Sequence, residues 1–347
     1  MGGAANIETV DLVAASHGDE AAFARLVEPR RAELHAHCYR MLGSLHDADD
    51  ALQETLLRAW RALPRFRGQS SLRTWLHRIA TNVCLDAIAR RPRRVLPIDY
   101  GPPREPGDPK PDEPAPSTLW IEPYPDETLG VADGAAPEAR YEHREALELA
   151  FVAALQHLSP RQRAALILRD VLGFSAKEAA HSLDTSVAAV NGALLRARRT
   201  VQERLPQHSQ QATLRALGDR RLREIVERFA DAFEQGDIDA ILAMLTEDAS
   251  FAMPPYPGWS RGRAAIADSW LMPGGPPPRL RYLTTRANGQ LALGTYQLDR
   301  AGGGHEAIAL DVLTLRGAEI VAVTAFRMPA IFPRFGLPER LPDTGGR

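Results

Sequence analysis

The chain has 347 residues, enough for two or three folded domains. Its 25% of charged and 44% of hydrophobic residues are ordinary for a globular protein, which excludes a wholly disordered, collagen-like or disulfide-scaffold chain. The 42 basic and 44 acidic side chains leave a formal net charge of −2, so a function that depends on charge must arise from local segments.

Cysteine usage and hydropathy indicate the cytoplasm. Two cysteines, Cys38 and Cys84, cannot make a framework of disulfides, which is typical of a reducing compartment. No apolar run approaches the roughly 20 residues of a membrane helix, and the N-terminus lacks a basic segment followed by an apolar stretch. No metal-spaced Cys/His set and no nucleotide-binding glycine pattern occurs. We therefore expect a soluble cytoplasmic protein with no membrane partner, no metal and no cofactor.

Residues 10–95 are predicted to form a first, all-helical domain. Apolar side chains recur at three- and four-residue steps on each side of a loop at residues 64–70, which predicts two amphipathic helices. Between Arg58 and Arg94, ten arginines stand against one acid, Asp86. Because neutralisation of phosphates supplies most non-specific affinity for nucleic acid, we expect this stretch to contact it.

Residues 96–137 are predicted to be an acidic, proline-rich tether. From Asp99 to Glu138, ten acids stand against Arg104 and Lys110, and ten prolines interrupt the segment. Proline removes a backbone donor and disfavours helix in the preceding residue, so the segment should be extended.

The tether also contains an aromatic group next to prolines. Trp120, Pro123 and Tyr124 stand in an otherwise polar stretch. Because burying a tryptophan contributes roughly 1.5–3 kcal/mol or somewhat more, we predict that these three residues dock the tether.

Residues 138–206 are predicted to contain a helix-turn-helix. Ser159 and Ser175 each begin a capping box, with Gln or Glu three residues further on. A short helix, a tight turn at Asp184 and a longer basic helix that Ser186 can cap follow in that order, which is typical of the motif.

Residues 214–341 are predicted to form an α+β domain. Helical spacing of apolar residues predicts two helices, the second of which includes Leu245. Short β-prone runs follow and are separated by glycine-containing turns, which predicts an antiparallel meander. The runs cover residues 250–253, 280–287, 291–298, 307–315 and 319–327.

Two segments carry a family resemblance. Residues 47–55, with Trp60 and residues 66–68 and 72–82, resemble region 2 of sigma-70-type initiation factors of the compact extracytoplasmic-function class. Residues 158–198 similarly resemble region 4. The resemblance implies two all-α domains that bind RNA polymerase core and promoter DNA and carry out no covalent chemistry.

The resemblance also implies which residues act. The acidic helix of region 2 would dock on a coiled coil of the largest polymerase subunit through Asp47, Asp50, Gln53 and Glu54. The downstream promoter element would be melted, with one base flipped into a pocket, and Trp75 stays open between DNA contact and core packing. The residues predicted for this element are Phe66, Arg67, Arg73, Thr74, Trp75, Arg78 and Asn82.

The recognition helix of region 4 would read the upstream promoter element, N-terminus first. Its predicted contacts are Ser186, Ala189, Asn191, Ala193, Arg196 and Arg199. Many family members carry Lys, Ser and Arg after the buried valine, whereas here Val190 is followed by Asn191, Gly192 and Ala193. Affinity for the upstream element should therefore be low, or its sequence unusual.

The C-terminal segment resembles the SnoaL-like fold, a cone of curved sheet around a pocket. Its cues are residues 233–237, 245–249 and 262–266. In sigma factors with this extension the added domain looks regulatory. A small-molecule ligand in the cone is an alternative function, for which the candidate acids and bases are Asp248, Asp268, His305 and Asp311, and the candidate lining residues are Phe251, Tyr256, Trp259 and Trp270.

A regulatory hypothesis follows from the charges. The tether, with about eight net negative charges, would fold over a basic DNA-binding domain and compete with phosphate, and the C-terminal domain would hold that closed form. Two rivals are an enzyme that turns over a ligand in the cone and a repressor that never meets polymerase.

Overall fold

The computed structural model describes residues 2–108, 113–129, 145–206, 208–270, 279–299 and 303–342. The chain divides into two compact units. The helical unit comprises Met1–Arg93, Thr128–Ala136 and Ala150–Leu205, and the C-terminal unit comprises Arg94–Glu127, Pro137–Leu149 and Pro206–Arg347. The predicted boundary at residues 137 and 138 and the cation Lys110 lie outside the described residues, and so does the side chain of Trp270.

The described strands come late in the chain, all of them after the long helix that begins at Gln210. The described α-helices are α1 (Gly2–Ser16), α2 (Glu20–Val27), α3 (Arg31–Leu42), α4 (Leu45–Ala62), α5 (Leu72–Ile88), α6 (Pro97–Tyr100), α7 (Leu149–Gln156), α8 (Pro160–Leu166), α9 (Ala176–Ser182), α10 (Val187–Gln202), α11 (Gln210–Gln235), α12 (Ile238–Ala243) and α13 (Arg263–Trp270). Across the described residues, no helix is both long and apolar enough to span a bilayer.

Side-chain caps fix where several helices of the helical unit begin. Ser44 accepts the N–H of Asp47 at 3.1 Å at the start of α4, and Ser71 accepts the N–H of Thr74 at 3.1 Å at the start of α5. Both predicted capping boxes are confirmed, at the starts of α8 and α9. Each such cap satisfies backbone donors that the first helical turn leaves free.

The first half of the helical unit is a bundle of α3, α4 and α5 around a shared apolar core. Its buried side chains are Leu34, Cys38, Tyr39, Met41, Leu52, Leu76, Ala80 and Cys84. The second half contains the predicted helix-turn-helix, in which α9 and α10 are joined by a turn with Asp184 at φ 47°. Aspartate tolerates this left-handed conformation better than most residues, so the sequence suits the tight turn.

The C-terminal unit is built on one mixed sheet. Its strands are β1 (Leu245–Ala252), β2 (Trp259–Arg261), β3 (Leu280–Ala287), β4 (Gln290–Leu298), β5 (His305–Arg316), β6 (Glu319–Phe326) and β7 (Arg340–Leu341). The strand order is β2-β1-β6-β5-β4-β3, and β7 also pairs with β5. The predicted meander runs antiparallel from β3 to β6, whereas β1 joins β6 in parallel.

The sheet packs on an apolar core that it shares with α11, α12 and α13. Phe229, Ile266, Leu293, Leu313 and Val323 are buried in this core. The predicted extension of the second helix to Leu245 was wrong, because α12 ends at Ala243 and Leu245 already pairs with Ile320 as a strand residue. Helical spacing alone does not separate the last turn of a helix from the first residue of a buried strand.

The first part of the tether differs from the extended chain that its composition predicts. Trp120 is 2% exposed, Tyr124 is fully buried, and the ring of Tyr100 contacts Trp120 edge-on at 5.4 Å. Across this segment, the N–H of Val95 donates to the carbonyl of Leu119 at 2.9 Å, and the N–H of Ile121 donates to the carbonyl of Val95 at 3.1 Å. Burial of the aromatic groups therefore outweighs the bias of proline and acid content toward an exposed chain.

A buried arginine supports the same segment. Arg94 donates to the carbonyl oxygens of Ser117, at 3.1 Å, and of Trp120, at 2.6 Å. Its guanidinium also lies 3.6 Å from the carboxylate of Glu122, and both side chains are less than a tenth exposed. A buried charge is tolerated when its hydrogen bonds are satisfied in this way.

The turn between β3 and β4 fastens two distant segments of the C-terminal unit. Asn288 and Gly289 both have positive φ, as a two-residue hairpin turn requires. Asn288 accepts the N–H of Tyr124 at 2.8 Å through Oδ1 and donates to the carbonyl of Leu147 at 2.8 Å through Nδ2. The sequence predicted this turn, but nothing in it indicated that the turn also fastens the tether and the segment before α7.

The segment that leads into α7 is held by buried polar groups. Glu148 is 4% exposed and accepts the N–H of Gln211 at 2.8 Å, close to the start of α11. Burial raises the pKa of Glu148 to about 7, although the hydrogen bonds from the backbone oppose that shift. Gln290 accepts the N–H of Leu149 at 3.1 Å.

Candidate nucleic-acid interface

The exposed face of α4 carries the residues predicted to bind polymerase. Asp50 and Gln53 are exposed, and Glu54 at the edge of this face pairs with Arg58 at 2.6 Å. Leu57, one turn beyond Gln53, is 42% exposed and adds an apolar group to the face. Leu57 was not among the predicted polymerase-binding residues, although its spacing from Asp50 and Gln53 places it on that face.

Asp47 does not share this exposure. Its side chain is 5% exposed and pairs with Arg91, 44 residues further along the chain. The helical pattern placed Asp47 on the acidic face, but Arg91 covers that position, so Asp47 is not available to a partner helix in this conformation.

The face of α5 predicted to melt DNA begins with Arg73. Its guanidinium Nε donates to both carboxylate oxygens of Glu33, at 2.9 and 3.1 Å, and Nη2 donates to the carbonyl of Leu172 at 3.0 Å. The same guanidinium lies 4.7 Å above the centroid of the Phe174 ring, a cation–π arrangement. Arg73 is therefore occupied by groups from both halves of the helical unit.

The next two residues of this face also contact the helix-turn-helix. Thr74 is 2% exposed and donates to the carboxylate of Glu178 at 3.1 Å. Arg78 lies 2.9 Å from Nε2 of His181, an exposed contact. The backbone and hydroxyl of Ser175 hydrogen-bond to Glu178 and hold its pKa below the usual value, so Glu178 is charged at neutral pH.

His77 lies beneath these contacts and is neutral. Its Nδ1 hydrogen donates to the carbonyl of Arg73 at 2.9 Å, and its ring meets the edge of Phe174 at 5.3 Å. Burial lowers the pKa of His77 to about 4. The imidazole therefore supports Arg73 and Phe174 without adding a charge to the face.

The other residues predicted for the downstream element are not brought into this contact. Phe66 and Trp75 pack against each other with ring centroids 4.9 Å apart, and both are half-buried. Arg67 and Asn82 are exposed. The Phe66–Trp75 pair leaves Trp75 in both roles that the sequence allowed, since part of its ring is packed and part is accessible.

The recognition helix α10 presents a defined outer face. Ser186 caps the helix by accepting the N–H of Ala189 at 3.1 Å, so its hydroxyl is already engaged. Ala189 and Asn191 are exposed, and Ala193 is half-buried. Val190, Leu194, Ala197 and Val201 form the buried face.

The arginines of α10 are divided between ion pairs and solvent. Arg198 pairs with Asp170 through two hydrogen bonds, at 2.8 and 2.7 Å, and Arg199 pairs with Glu203 at 3.0 Å. Arg196 is exposed and lies over Gly192, where a Cβ atom would stand 3.6 Å from its Nη1. Exposed ion pairs are weak, so Arg199 can exchange Glu203 for a phosphate at little cost.

A buried contact that no sequence pattern indicated joins the two halves of the helical unit. Arg163, 4% exposed, donates to the carbonyl of Met41 and to Oε1 of Gln156 at 2.5 Å. Gln156 in turn donates to the carbonyl of Arg40 at 3.3 Å. These donors satisfy carbonyls that the C-terminal turn of α3 leaves free. Burial lowers the pKa of Arg163 to about 10, and it stays charged at neutral pH.

This geometry defines a class of protein: a helical bundle with an acidic, partly apolar outer helix, joined to a helix-turn-helix in one compact unit. Comparisons with known families agree with that class. Residues 26–94 match Sigma-70 region 2, residues 148–201 match Sigma-70, region 4, and residues 226–323 match the SnoaL-like domain.

Individual relatives cover nearly the whole chain. The ECF RNA polymerase sigma factor SigG of Mycobacterium tuberculosis (strain H37Rv) is 46% identical over 322 residues, which are 92% of this chain and 85% of the relative. SigJ of the same strain is 25% identical over 335 residues, 92% of this chain and 96% of the relative. The chain belongs to the extracytoplasmic-function sigma factor family.

A solved structure has the same fold. The crystal structure of Mycobacterium tuberculosis SigJ aligns over 91% of this chain and 99% of that one, with a TM-score of 0.54 and 21% identity. At that identity the likeness concerns the fold, with two helical sigma domains and a C-terminal SnoaL-like domain.

Proposed function

We propose that the chain directs RNA polymerase core to particular promoters in the cytoplasm and initiates transcription there. The observation that carries this proposal is the succession of a region 2 bundle and a region 4 helix-turn-helix in one chain. Region 2 binds core polymerase through the exposed face of α4 and melts the downstream element with α5. Region 4 reads the upstream element with α10.

The melting face is closed in the free chain. Arg73, Thr74 and Arg78, which the family resemblance places against DNA, contact Leu172, Glu178 and His181 of the other half of the unit. Glu178 supplies a carboxylate where the flipped strand would supply a phosphate, so it competes with DNA for the same positive face. Binding to core polymerase would separate the two halves and release α5.

The closed face predicts a gain of binding in one double variant. Glu178→Gln keeps the capping box but removes the charge, and His181→Ala removes the partner of Arg78. The free chain carrying both should bind a single-stranded downstream oligonucleotide about tenfold more tightly, since two weak contacts of about 0.5–1 kcal/mol each are lost. Fluorescence anisotropy measures the change.

The matched control is Lys177→Ala, at an exposed position of the same helix. Equal affinities of the double variant and the parent would contradict the closed face. Run-off transcription and permanganate footprinting with added core polymerase test the initiation function itself. A chain that neither joins core polymerase nor melts a promoter in its company is not an initiation factor.

The C-terminal domain modulates this activity in cis. Residues 96–127 of the tether, Pro137–Leu149 and Pro206–Arg347 belong to the C-terminal unit, where Trp120, Glu148 and Gln211 are buried, whereas Thr128–Ala136 belongs to the helical unit. In the described residues on each side of region 4, Ser209 donates to Glu145 at 2.6 Å and the N–H of Gln211 donates to Glu148 at 2.8 Å. In this proposal, these contacts and the burial of Trp120 and Tyr124 limit how far regions 2 and 4 can separate.

The chain acts without catalysis of its own in the cone. Asp311 and His305 lie six residues apart on β5, about 20 Å along an extended strand. Asp248 pairs with Arg316 at the surface, and Asp268 accepts the N–H of Gly107 at 3.2 Å. The four candidate acids and bases are thus spread over separate places, which favours a non-enzymatic role.

Ligand binding in the cone is a second candidate function, and one buried acid favours it. Asp311 is 6% exposed and accepts a hydrogen bond from Thr295 at 2.8 Å. Tyr282 stands opposite Thr295 on the neighbouring strand, and its ring lies within 6.2 Å of Phe229 and 5.7 Å of Phe233. A polar group beside aromatic rings suits an apolar ligand that carries one hydrogen-bonding group. Equilibrium dialysis with lipophilic probes, followed by mass analysis, separates binding from turnover.

The buried acid predicts that stability depends on pH. Burial raises the pKa of Asp311 from 3.8 to about 7. The folded chain then holds this proton more tightly than the unfolded chain, so the stabilisation is full at low pH and is lost as pH rises through about 7. Urea unfolding should show a free energy of unfolding lower at about pH 8 than at about pH 5, by on the order of 2 kcal/mol for this group.

Asp311→Asn is the control for that measurement, because its amide oxygen can still accept from Thr295. It should reduce the pH dependence without abolishing it, since Glu148 also has a raised pKa and contributes with the same sign. An unchanged pH dependence in Asp311→Asn would show that the acid titrates as in water.

A further inference from the structure

One exposed face of α10, from Val187 at its first residue to Leu195 near its middle, is mostly apolar. Val187 is 38% and Leu195 is 73% exposed, and Ala188 and Asn191 are exposed between them at helical spacing. We call these four residues the reading stripe. It lies beside the buried face of the helix, and its side chains are accessible to solvent.

The reading stripe lacks the donors that read guanine. Arginine or lysine, bonded to O6 and N7 of guanine, makes the commonest specific base contact. Within the described part of α10 the arginines stand at Arg196, Arg198 and Arg199, in its C-terminal half, and two of them form ion pairs within the domain. They are placed to contact phosphates and fix the register, which carries no sequence information.

The groups that remain match A·T pairs. The side-chain amide of asparagine forms paired hydrogen bonds with N6 and N7 of adenine, and apolar side chains contact the C5-methyl group of thymine. Leu195 is 73% exposed, so it contributes little to the stability of the free domain. In a complex, a thymine methyl group would bury it.

We infer that the upstream promoter element is a short A·T-rich run, in which Asn191 bonds one adenine and Val187, Ala188 and Leu195 pack on thymine methyl groups. This inference rests on the proposed role of region 4 in reading the upstream element. Base recognition would then come from apolar contacts and one side-chain amide, because the helix has no charged donors at these four positions.

Selection with the complete holoenzyme tests the inference. Duplexes randomised over the upstream element are bound to the chain with core polymerase, and the retained sites are sequenced. A·T pairs should be enriched in the stretch that region 4 protects. In the selected site, replacing each thymine with deoxyuridine removes only the methyl group and should weaken binding about fourfold for each contacted thymine.

Variants on the reading stripe assign the contacts. Because these side chains are exposed, their substitution leaves the fold of the free domain intact. Leu195→Ala should abolish the deoxyuridine effect at one position. Asn191→Ala should weaken binding about tenfold and relax the preference for adenine at one position. Arg199→Ala is the matched control, because loss of a phosphate contact weakens all sequences alike and reduces the salt dependence.

The outcomes distinguish a wrong base preference from a wrong initiation function. Initiation from selected sites that are rich in G·C pairs, or sites indifferent to deoxyuridine, overturns the inference and leaves the initiation function intact. A holoenzyme that initiates on no duplex overturns both.

Discussion

Replacing Arg163 with methionine is expected to destabilise the packing of region 2 against region 4 by about 3 kcal/mol. Arg163 is 4% exposed, and its guanidinium satisfies the carbonyl of Met41, in the last turn of α3, and the side-chain oxygen of Gln156. Methionine fills a similar volume but donates nothing. The carbonyl of Met41 and Oε1 of Gln156 then lose this donor, as do the carbonyls of Gln156 and Leu158. A buried acceptor left without a donor costs about 1–3 kcal/mol.

Hydrogen exchange on the full chain measures this effect. Amides at the C-terminal end of α3 and the start of α8 should exchange more than about a hundredfold faster in Arg163→Met. Arg161→Met is the matched control, since Arg161 is exposed on the same helix. Promoter DNA binding by the free chain should rise with the opening of the contact. Protection equal to that of the parent would mean that Gln156 and the contacts of Arg73, Thr74 and Arg78 hold the two halves together without Arg163.

Local chemistry explains what the sequence could predict. The capping boxes at Ser159 and Ser175 involve partners three residues apart, and the hairpin at Asn288 depends on its own backbone and that of Gly289. Such features are encoded by neighbouring residues, so a pattern reveals them. The helix-turn-helix and the order of the domains follow from the same kind of information.

Contacts between residues that are far apart in the chain could not be predicted from the sequence. Thr74 and Glu178 are 104 residues apart, and Asp47 is covered by Arg91 from 44 residues away. Periodicity tells which face of a helix is polar, but it does not tell which distant group will cover it. The sequence therefore predicted that this face of α5 is polar, but it did not predict that side chains of region 4 contact it.

Two features of its sequence predict opposite conformations for the tether. Its prolines and acids predict an extended chain, and Trp120 and Tyr124 predict a docked one. The docked outcome depends on Arg94, which satisfies the carbonyls of Ser117 and Trp120, and on Asn288, which pairs with the backbone of Tyr124. These groups lie outside the motif, so composition alone overstated how free the segment is.

Trp120→Ala is expected to release the tether, because removing a fully buried tryptophan costs about 3–5 kcal/mol. Trp120 is 2% exposed, and its indole N–H has no hydrogen-bond partner among the described residues. The amides of Val95 and Ile121, which bond across this segment, should lose more than about a hundredfold of their protection from hydrogen exchange. Run-off transcription should rise, since the acidic tether no longer limits the separation of the DNA-binding regions.

Trp120→Phe separates packing from polarity at the same position. Phenylalanine keeps most of the apolar contact with Tyr100 and removes a buried donor that has no partner in the described structure, so protection and transcription should stay close to those of the parent. If Trp120→Ala exposes the tether but leaves transcription unchanged, the fastening is structural and modulation in cis is wrong. If transcription falls instead, the fastened tether is required for initiation, because the domain then positions the two regions on the promoter.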